Sequence, residues 1–133
     1  MKAAVYTGHG GPEVIRLQEM PTPTTGPADV LVRVRATALN HLDLWIRRGL
    51  PHLRVSFPHI AGADVAGVVE RVGGAVQGVA EGQEVMIAPG ISCGACRACL
   101  AGEDNMCAQY RILGEHRHGG LAEFVAVPAI NLI

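Results

Sequence analysis

The sequence predicts a small, mainly β barrel with one short helix and a compact cysteine lobe inserted on its rim. Three observations carry that fold class. Seventeen glycines and eight prolines cut 133 residues into short segments, a pattern of strands and turns rather than long helices. One of those segments, Val30–Leu39, alternates apolar and other residues along its length. All four cysteines lie between Cys93 and Cys107, outside the segments that read as strands.

The first strand is Lys2–Tyr6, and Gly8-His9-Gly10-Gly11-Pro12 is a turn. Val14–Gln18 alternates and is predicted to return antiparallel to the first strand. The glycines between them do not form a phosphate loop, because neither Gly-x-Gly-x-x-Gly nor Gly-x-x-x-x-Gly-Lys occurs and no helical pattern follows. Met20–Asp29, rich in Pro, Thr and Gly, is an extended connector. In Val30–Leu39, Val30, Val32, Val34, Ala36 and Ala38 share one face, and Leu31, Arg33, Arg35 and Thr37 share the other. That period of two describes a half-buried antiparallel strand with Arg33 and Arg35 on its wet side.

Asn40–Arg48 then reads as a short helix. Asn40 is a cap, Leu42, Trp45 and Ile46 share a face, and Gly49-Leu50-Pro51 stops the helix. The strand therefore runs directly into the polar junction Asn40-His41-Leu42-Asp43. Such junctions often face a cleft, although a cap plus one solvated histidine is the simpler account of this stretch alone. Pro51–His59 is a loop carrying His52 and His59, each read as a surface or structural histidine. Ile60–Val72 is predicted as one strand, small residues in its first half and β-branched ones in its second, its glycines marking close backbone approach. Asp64 lies there in an apolar context and needs a partner: an arginine, backbone amides or a group in a site. Gly73-Gly74 turns the chain, Glu84–Ala88 is a strand, and Pro89-Gly90 leads into the cysteines. A polar loop, Arg111–Gly120, precedes a last strand, Leu121–Val127.

The lobe carries the strongest chemical signal. Cys93, Cys96, Cys99 and Cys107 form two overlapping Cys-x-x-Cys turns plus a fourth thiol brought back by Gly102-Glu103-Asp104-Asn105. Zinc takes four ligands tetrahedrally, and four thiolates leave no position for water. The spacing thus predicts a closed, structural site. Disulfides fit poorly, since four cysteines this close are badly placed for two unstrained bridges. A redox Cys-x-x-Cys needs only one pair, and unrelated buried thiols would be scattered.

Composition excludes other classes. A formal net charge of −1 gives no electrostatic case for nucleic acid or an acidic membrane. The N-terminal stretch lacks the apolar run of a signal peptide, and no segment approaches the ~18 apolar residues that span a bilayer. With thiols held on a metal, a soluble cytoplasmic protein is expected. At 49% hydrophobic with few aromatics, the core is expected to be Val, Leu, Ile and Ala.

Joined together, these motifs resemble the zinc-type alcohol dehydrogenases and quinone oxidoreductases of the medium-chain dehydrogenase/reductase superfamily. The family pattern Cys-Gly-x-Cys-x-x-Cys-x-x-Gly-x-x-Asn-x-Cys is met from Cys93 through Gly102 and Asn105 to Cys107. Gly62-x-Asp64-x-x-Gly67-x-Val69-x-x-Val72-Gly73 is similar to Gly-His-Glu-x-x-Gly-x-Val-x-x-Val-Gly, and Gly119-Gly120-Leu121-Ala122-Glu123-Phe124 to Gly-Gly-x-Ala-Glu-Tyr. The resemblance covers almost the whole chain. It implies a GroES-like, partly open β-barrel with one or two short helices, residues 1–133 forming the catalytic domain and roughly residues 91–110 the structural-zinc lobe. The family's Gly-Asp-x-Val is altered here to Gly82-Gln83-Glu84-Val85.

Two departures shape the functional expectation. The family's alcohol dehydrogenases hold a second, catalytic zinc through the Cys of Cys-His-x-Asp, the His of Gly-His-Glu and a later residue. Here those motifs read Asn40-His41-Leu42-Asp43 and Gly62-Ala63-Asp64. Alanine has no donor atom, and an amide is a poor substitute for a thiolate at zinc. Loss of that Lewis acid removes the group that stabilises an alkoxide. The resemblance therefore points to the zinc-free branch, quinone or enone reductases that pass hydride from NADPH or NADH to a conjugated carbonyl compound. It implies that Asn40 lines the nicotinamide end of the cleft, with Asp64 as a second catalytic candidate, and that His41 contacts the cofactor pyrophosphate. The implied partners are a small carbonyl, quinone or alcohol substrate and further copies of the intact protein, with neither nucleic acid nor membrane. The chain carries no Gly-rich strand–turn–helix fingerprint, so the dinucleotide-binding domain is expected elsewhere. The alternatives are a zinc-dependent alcohol dehydrogenase with a non-standard site, drawing on His116 or His118, and a non-catalytic zinc-stabilised binding module.

Overall fold

The computed structural model describes residues 1–51 and 53–133. His52 lies outside the described residues. Valine dominates the interior because the strands alternate and aromatics are scarce. Three sheets result. β1 (Lys2–Tyr6), β2 (Ile15–Glu19) and β4 (His59–Ile60) form one, in the order β2-β1-β4. β3 (Asp29–Ala38), β5 (Asp64–Val72), β6 (Glu84–Ile87) and β9 (Phe124–Pro128) form the second, in the order β6-β5-β3-β9. β7 (Gly90–Ile91) and β8 (Arg111–Ile112) make a two-stranded ribbon. Among the described residues these strands pair antiparallel, with Val5 opposite Arg16 and Val32 opposite Val125. The expected mainly β, GroES-like barrel is the architecture observed, with two short helices, α1 (His41–Arg48) and α2 (Arg97–Leu100).

The main core gathers Val30, Val32, Val69, Val125 and Val127 with Ile87 and Leu113. Fully burying one such side chain stabilises by about 1.5–3 kcal/mol. A smaller cluster of Tyr6, Ile46 and Ala61 joins α1 to the first sheet. No described helix is long and apolar enough to cross a membrane.

The expected loop over 111–120 opens with β8, the expected strand over 121–127 is β9, starting at Phe124, and three further elements differ in ways that bear on the site. The strand expected over 60–72 is broken: Ile60 pairs with Val5, whereas Asp64 begins pairing with β3. Gly62, at φ 95°, supplies the left-handed residue that lets the chain leave one sheet for the other. The alternation in β3 holds only in part. Leu31 is buried together with Val30 and Val32, while Ala36 and Ala38 are exposed. An extra residue at Arg35, between the Val34–Gly67 and Ala36–Ala66 pairs, bulges the strand there and re-aims the side chains beyond it. In α1 the buried residues are Asp43, Ile46 and Arg47, and Trp45 is 49% exposed. The carboxylate of Asp43 has partners inside the fold, which draws that edge of the helix inward.

Candidate metal centre and active-site cleft

The β7–β8 ribbon is the neck of the cysteine lobe. Gly90 pairs with Ile112 and Ile91 with Arg111, and Ile91 and Leu113 root the neck in the main core. Beyond it, Gly94 at φ 70° and Gly102 at φ 78° make the sharp turns. Cys96 begins α2, and Glu103 N–H donates to the Ala98 carbonyl at 2.9 Å. A single 3-10 turn, Asp104–Met106, then delivers Cys107.

The four sulfurs lie within 4.8 Å of one another. Cys93 and Cys99 Sγ are 3.8 Å apart, and Cys96 and Cys99 Sγ 3.5 Å. Sulfurs about 2.3 Å from a tetrahedral zinc stand about 3.8 Å from one another, so the donor set and its spacing fit zinc. Backbone N–H groups of Cys93 and Gln109 point at Cys107 Sγ, at 3.5 and 3.3 Å. Local hydrogen bonds favour the thiolate form at two of the four cysteines. N–H donors of Ala95 and Cys96, with help from Cys107, lower the Cys93 thiol to about 6. A bond from Ser92 leads the causes that lower Cys99. At Cys96 a backbone bond from Cys99 works downward, but hydrogen bonding to neighbouring sulfurs and burial leave it up at about 11.

The second site lies where β3 meets α1. Asn40 caps the helix: its carbonyl accepts from Asp43 N–H at 3.1 Å, and its own N–H donates to Asp43 Oδ2 at 2.7 Å. The other oxygen of Asp43, Oδ1, accepts from Gly62 N–H at 3.0 Å. Asp43 is only 2% exposed, and these two donors answer the cost of burying its charge. Its backbone carbonyl accepts from the Tyr6 hydroxyl at 3.3 Å. Burial, then the negative charge of Asp43, push the Tyr6 pKa up, with Arg47 opposing. Asp43 thus ties α1 to the crossover between the two sheets.

That crossover positions Asp64. Sequence context placed this carboxylate among apolar neighbours, but it is exposed. Its partner is the site group among the three expected kinds, because Asn40 Nδ2 donates to Asp64 Oδ2 at 2.9 Å. The Asp64 carbonyl accepts from Thr37 Oγ1 at 2.9 Å. Asp64 Oδ1 has no hydrogen-bond partner among the described residues. Ala63, 5% exposed, offers no donor atom. This junction therefore does not fit a catalytic zinc: one family ligand position is a methyl group, and the other is an amide engaged with a carboxylate. Among the described residues, the cysteines are the only His/Cys/Asp/Glu group whose ligand atoms converge.

The three remaining candidates are histidines. His41 is exposed at the start of α1 and packs at a tilt against Trp45, ring centroids 5.0 Å apart. His116 Nδ1 accepts from Ile112 N–H at 3.1 Å, and His118 Nδ1 from Ile60 N–H at 3.3 Å. Each is engaged by backbone, His116 within its own loop and His118 by β4, and neither joins a converging ligand group. Sequence reasoning did not assign the crossover role of Asp43. Its signal was the capping pattern itself, a polar residue three positions after Asn40.

Residues 26–133 match the alcohol dehydrogenase GroES-like domain, and the chain belongs to that family. It is 37% identical over 133 residues to an NAD-dependent alcohol dehydrogenase of Sulfolobus acidocaldarius, covering 96% of this chain and 38% of that protein. It is 41% identical over 118 residues to an L-threonine 3-dehydrogenase of Symbiobacterium thermophilum, covering 87% of this chain and 34% of that protein. A crystal structure of an NAD-dependent alcohol dehydrogenase superposes with a TM-score of 0.94 at 54% identity, over 100% of this chain and 39% of that one. The chain therefore spans a little over a third of the length of these relatives.

Proposed function

We propose that this chain is the catalytic-domain portion of an NAD(P)-dependent oxidoreductase that interconverts a small alcohol and its carbonyl compound. The observation that carries the reading is the Asn40–Asp64 pair, set beside the buried Asp43 at a strand–helix junction. The relatives are named as alcohol and threonine dehydrogenases. Those names favour the alcohol reading over the quinone or enone reductase expected from the missing zinc ligands.

When bound, the nicotinamide supplies the hydride chemistry. The chain supplies position and a proton acceptor. Asn40 holds Asp64 Oδ2, leaving Oδ1 to accept the hydrogen of a substrate hydroxyl and to take its proton as the carbonyl forms. In the reverse direction the same oxygen returns that proton. His41, at the N-terminal end of α1, suits the cofactor pyrophosphate, where helix amides and the macrodipole favour an anion. Cys93, Cys96, Cys99 and Cys107 hold one structural zinc per chain, closed to water and to substrate. Residues 1–133 are one catalytic domain, and the dinucleotide-binding domain belongs to another part of the protein.

The second reading, a quinone or enone reductase, rests on Ala63 and on the engaged amide of Asn40. The decisive experiment assays the full-length protein with NAD+ and NADP+ on small alcohols, and with NADH and NADPH on enones and quinones, with zinc counted in parallel. Alcohol turnover at one zinc per chain, lost in Asp64→Asn, supports the proposal. Enone or quinone turnover alone transfers the assignment to the second reading. No turnover in either assay leaves the binding module.

A further inference from the structure

A cavity of about 460 Å³ lies outside the cleft, between the connector that follows β2 and the edge strand β9. Neither Asn40 nor Asp64 lines it. Its volume falls in the range of small-molecule sites, about 300–1,000 Å³. Its apolar lining includes Met20, Pro21, Ile60 and Phe124. Its polar lining includes Thr22, Thr24, Arg117 and His118, and no Asp or Glu is among its described lining residues.

Arg117 and His118 supply donors. Arg117 is half-buried, and its one described bond is long, from Nη2 to the Ala126 carbonyl at 3.4 Å. Most of the guanidinium fork is thus left to a ligand. His118 Nδ1 accepts from Ile60 N–H, so the neutral ring carries its hydrogen on Nε2 and offers a second donor. The remaining guanidinium donors are open to a ligand, and a carboxylate matches their fork with two parallel hydrogen bonds. The apolar lining residues suit hydrocarbon.

We infer that this pocket binds a small amphipathic carboxylate, its head group on Arg117 and its short hydrocarbon body against Met20, Pro21, Ile60 and Phe124. The occupant differs from the alcohol placed in the cleft, and the inference stands whichever reaction the cleft performs. An alcohol of the same length satisfies the apolar lining but leaves the guanidinium without an anion. An ammonium adds like-charge repulsion.

The test is an NMR titration of the full-length ¹⁵N-labelled protein with octanoate, octan-1-ol and octylammonium. Octanoate is expected to shift the Ile60, Gly119 and Val125 amide resonances saturably, with octan-1-ol at least about tenfold weaker and octylammonium without effect. Arg117→Gln should reduce octanoate to the level of the alcohol, and Arg117→Lys should keep part of the difference. Equal binding of octanoate and octan-1-ol by the native chain overturns the proposal, as does the absence of a saturable shift. Undiminished octanoate binding by a folded Arg117→Gln chain overturns it too. Should that variant not fold, the three ligands on the native chain decide alone.

Discussion

Asn40 and Asp64, twenty-four residues apart in the chain, are joined side chain to side chain at 2.9 Å. The amide spends one hydrogen on the carboxylate and holds it beside the start of α1. A hydrogen bond to a charged group contributes about 1.5–3 kcal/mol. Asn40→Ala in the full-length protein should therefore lower kcat/KM about ten- to a hundredfold. It also removes a cap residue, worth about 1 kcal/mol. Steady-state kinetics beside a denaturant melt separates the two losses. Activity unchanged while stability falls would reduce Asn40 to a cap.

Asp43 should matter more for the fold than Asp64 does. Asp43→Ala orphans the buried Gly62 N–H as well as Asn40 N–H, and an unsatisfied buried donor costs about 1–3 kcal/mol. A loss of about 2–4 kcal/mol is expected, read from urea unfolding. Asp43→Asn retains one acceptor and should lose less. Asp64→Asn, at an exposed position, should leave the unfolding midpoint nearly unmoved.

Removing the metal should unfold the lobe before the barrel, because the neck is anchored by Ile91 and Leu113 in the main core. Metal analysis is expected to give one zinc per chain. With free zinc a thousandfold above its Kd, binding stabilises the folded state by about 4 kcal/mol. Chelation or Cys107→Ser should lower Tm accordingly, with hydrogen exchange rising first across 92–110. Intact stability after complete zinc removal would contradict a structural role.

Stability should fall as the solution is acidified through the histidine range. Desolvation lowers the pKa of His59, with an opposing bond to the Gly114 carbonyl and the nearby His118 adding to the lowering. Desolvation alone lowers His118. Below the unfolded value, about 6.5, the unfolded chain binds protons that the folded chain resists. Their contribution is thus full above about pH 6.5 and is lost as pH drops through the folded-state values. Urea midpoints between pH 7 and 5 check this, and His59→Gln should flatten the slope.

The legible parts of this molecule are those where one local rule acts alone. The cysteine spacing anticipated four converging sulfurs because ligand geometry is short-ranged, and β1, β2, β6 and the cap at Asn40 arose from alternation and turn chemistry. The hidden parts depend on partners far away in sequence. Asp64 reads as an apolar-context carboxylate until the crossover at Gly62 brings it to the surface opposite Asn40. Ile60–Val72 reads as one strand because nothing local says that its two ends belong to different sheets. Trp45 reads as core because helical periodicity cannot register that Asp43 claims the inward edge. The substrate side was hardest, since replaced zinc ligands show which group is missing and leave open what the remaining ones hold.

The Gly62 amide gives the crossover a further use. Its hydrogen sits on the Asp43 carboxylate, and both residues are buried where α1 meets the two sheets. Its exchange rate should therefore track the opening of the whole assembly rather than local fraying. One resolved peak in an amide spectrum then becomes a gauge of cleft integrity, readable without substrate, cofactor or metal.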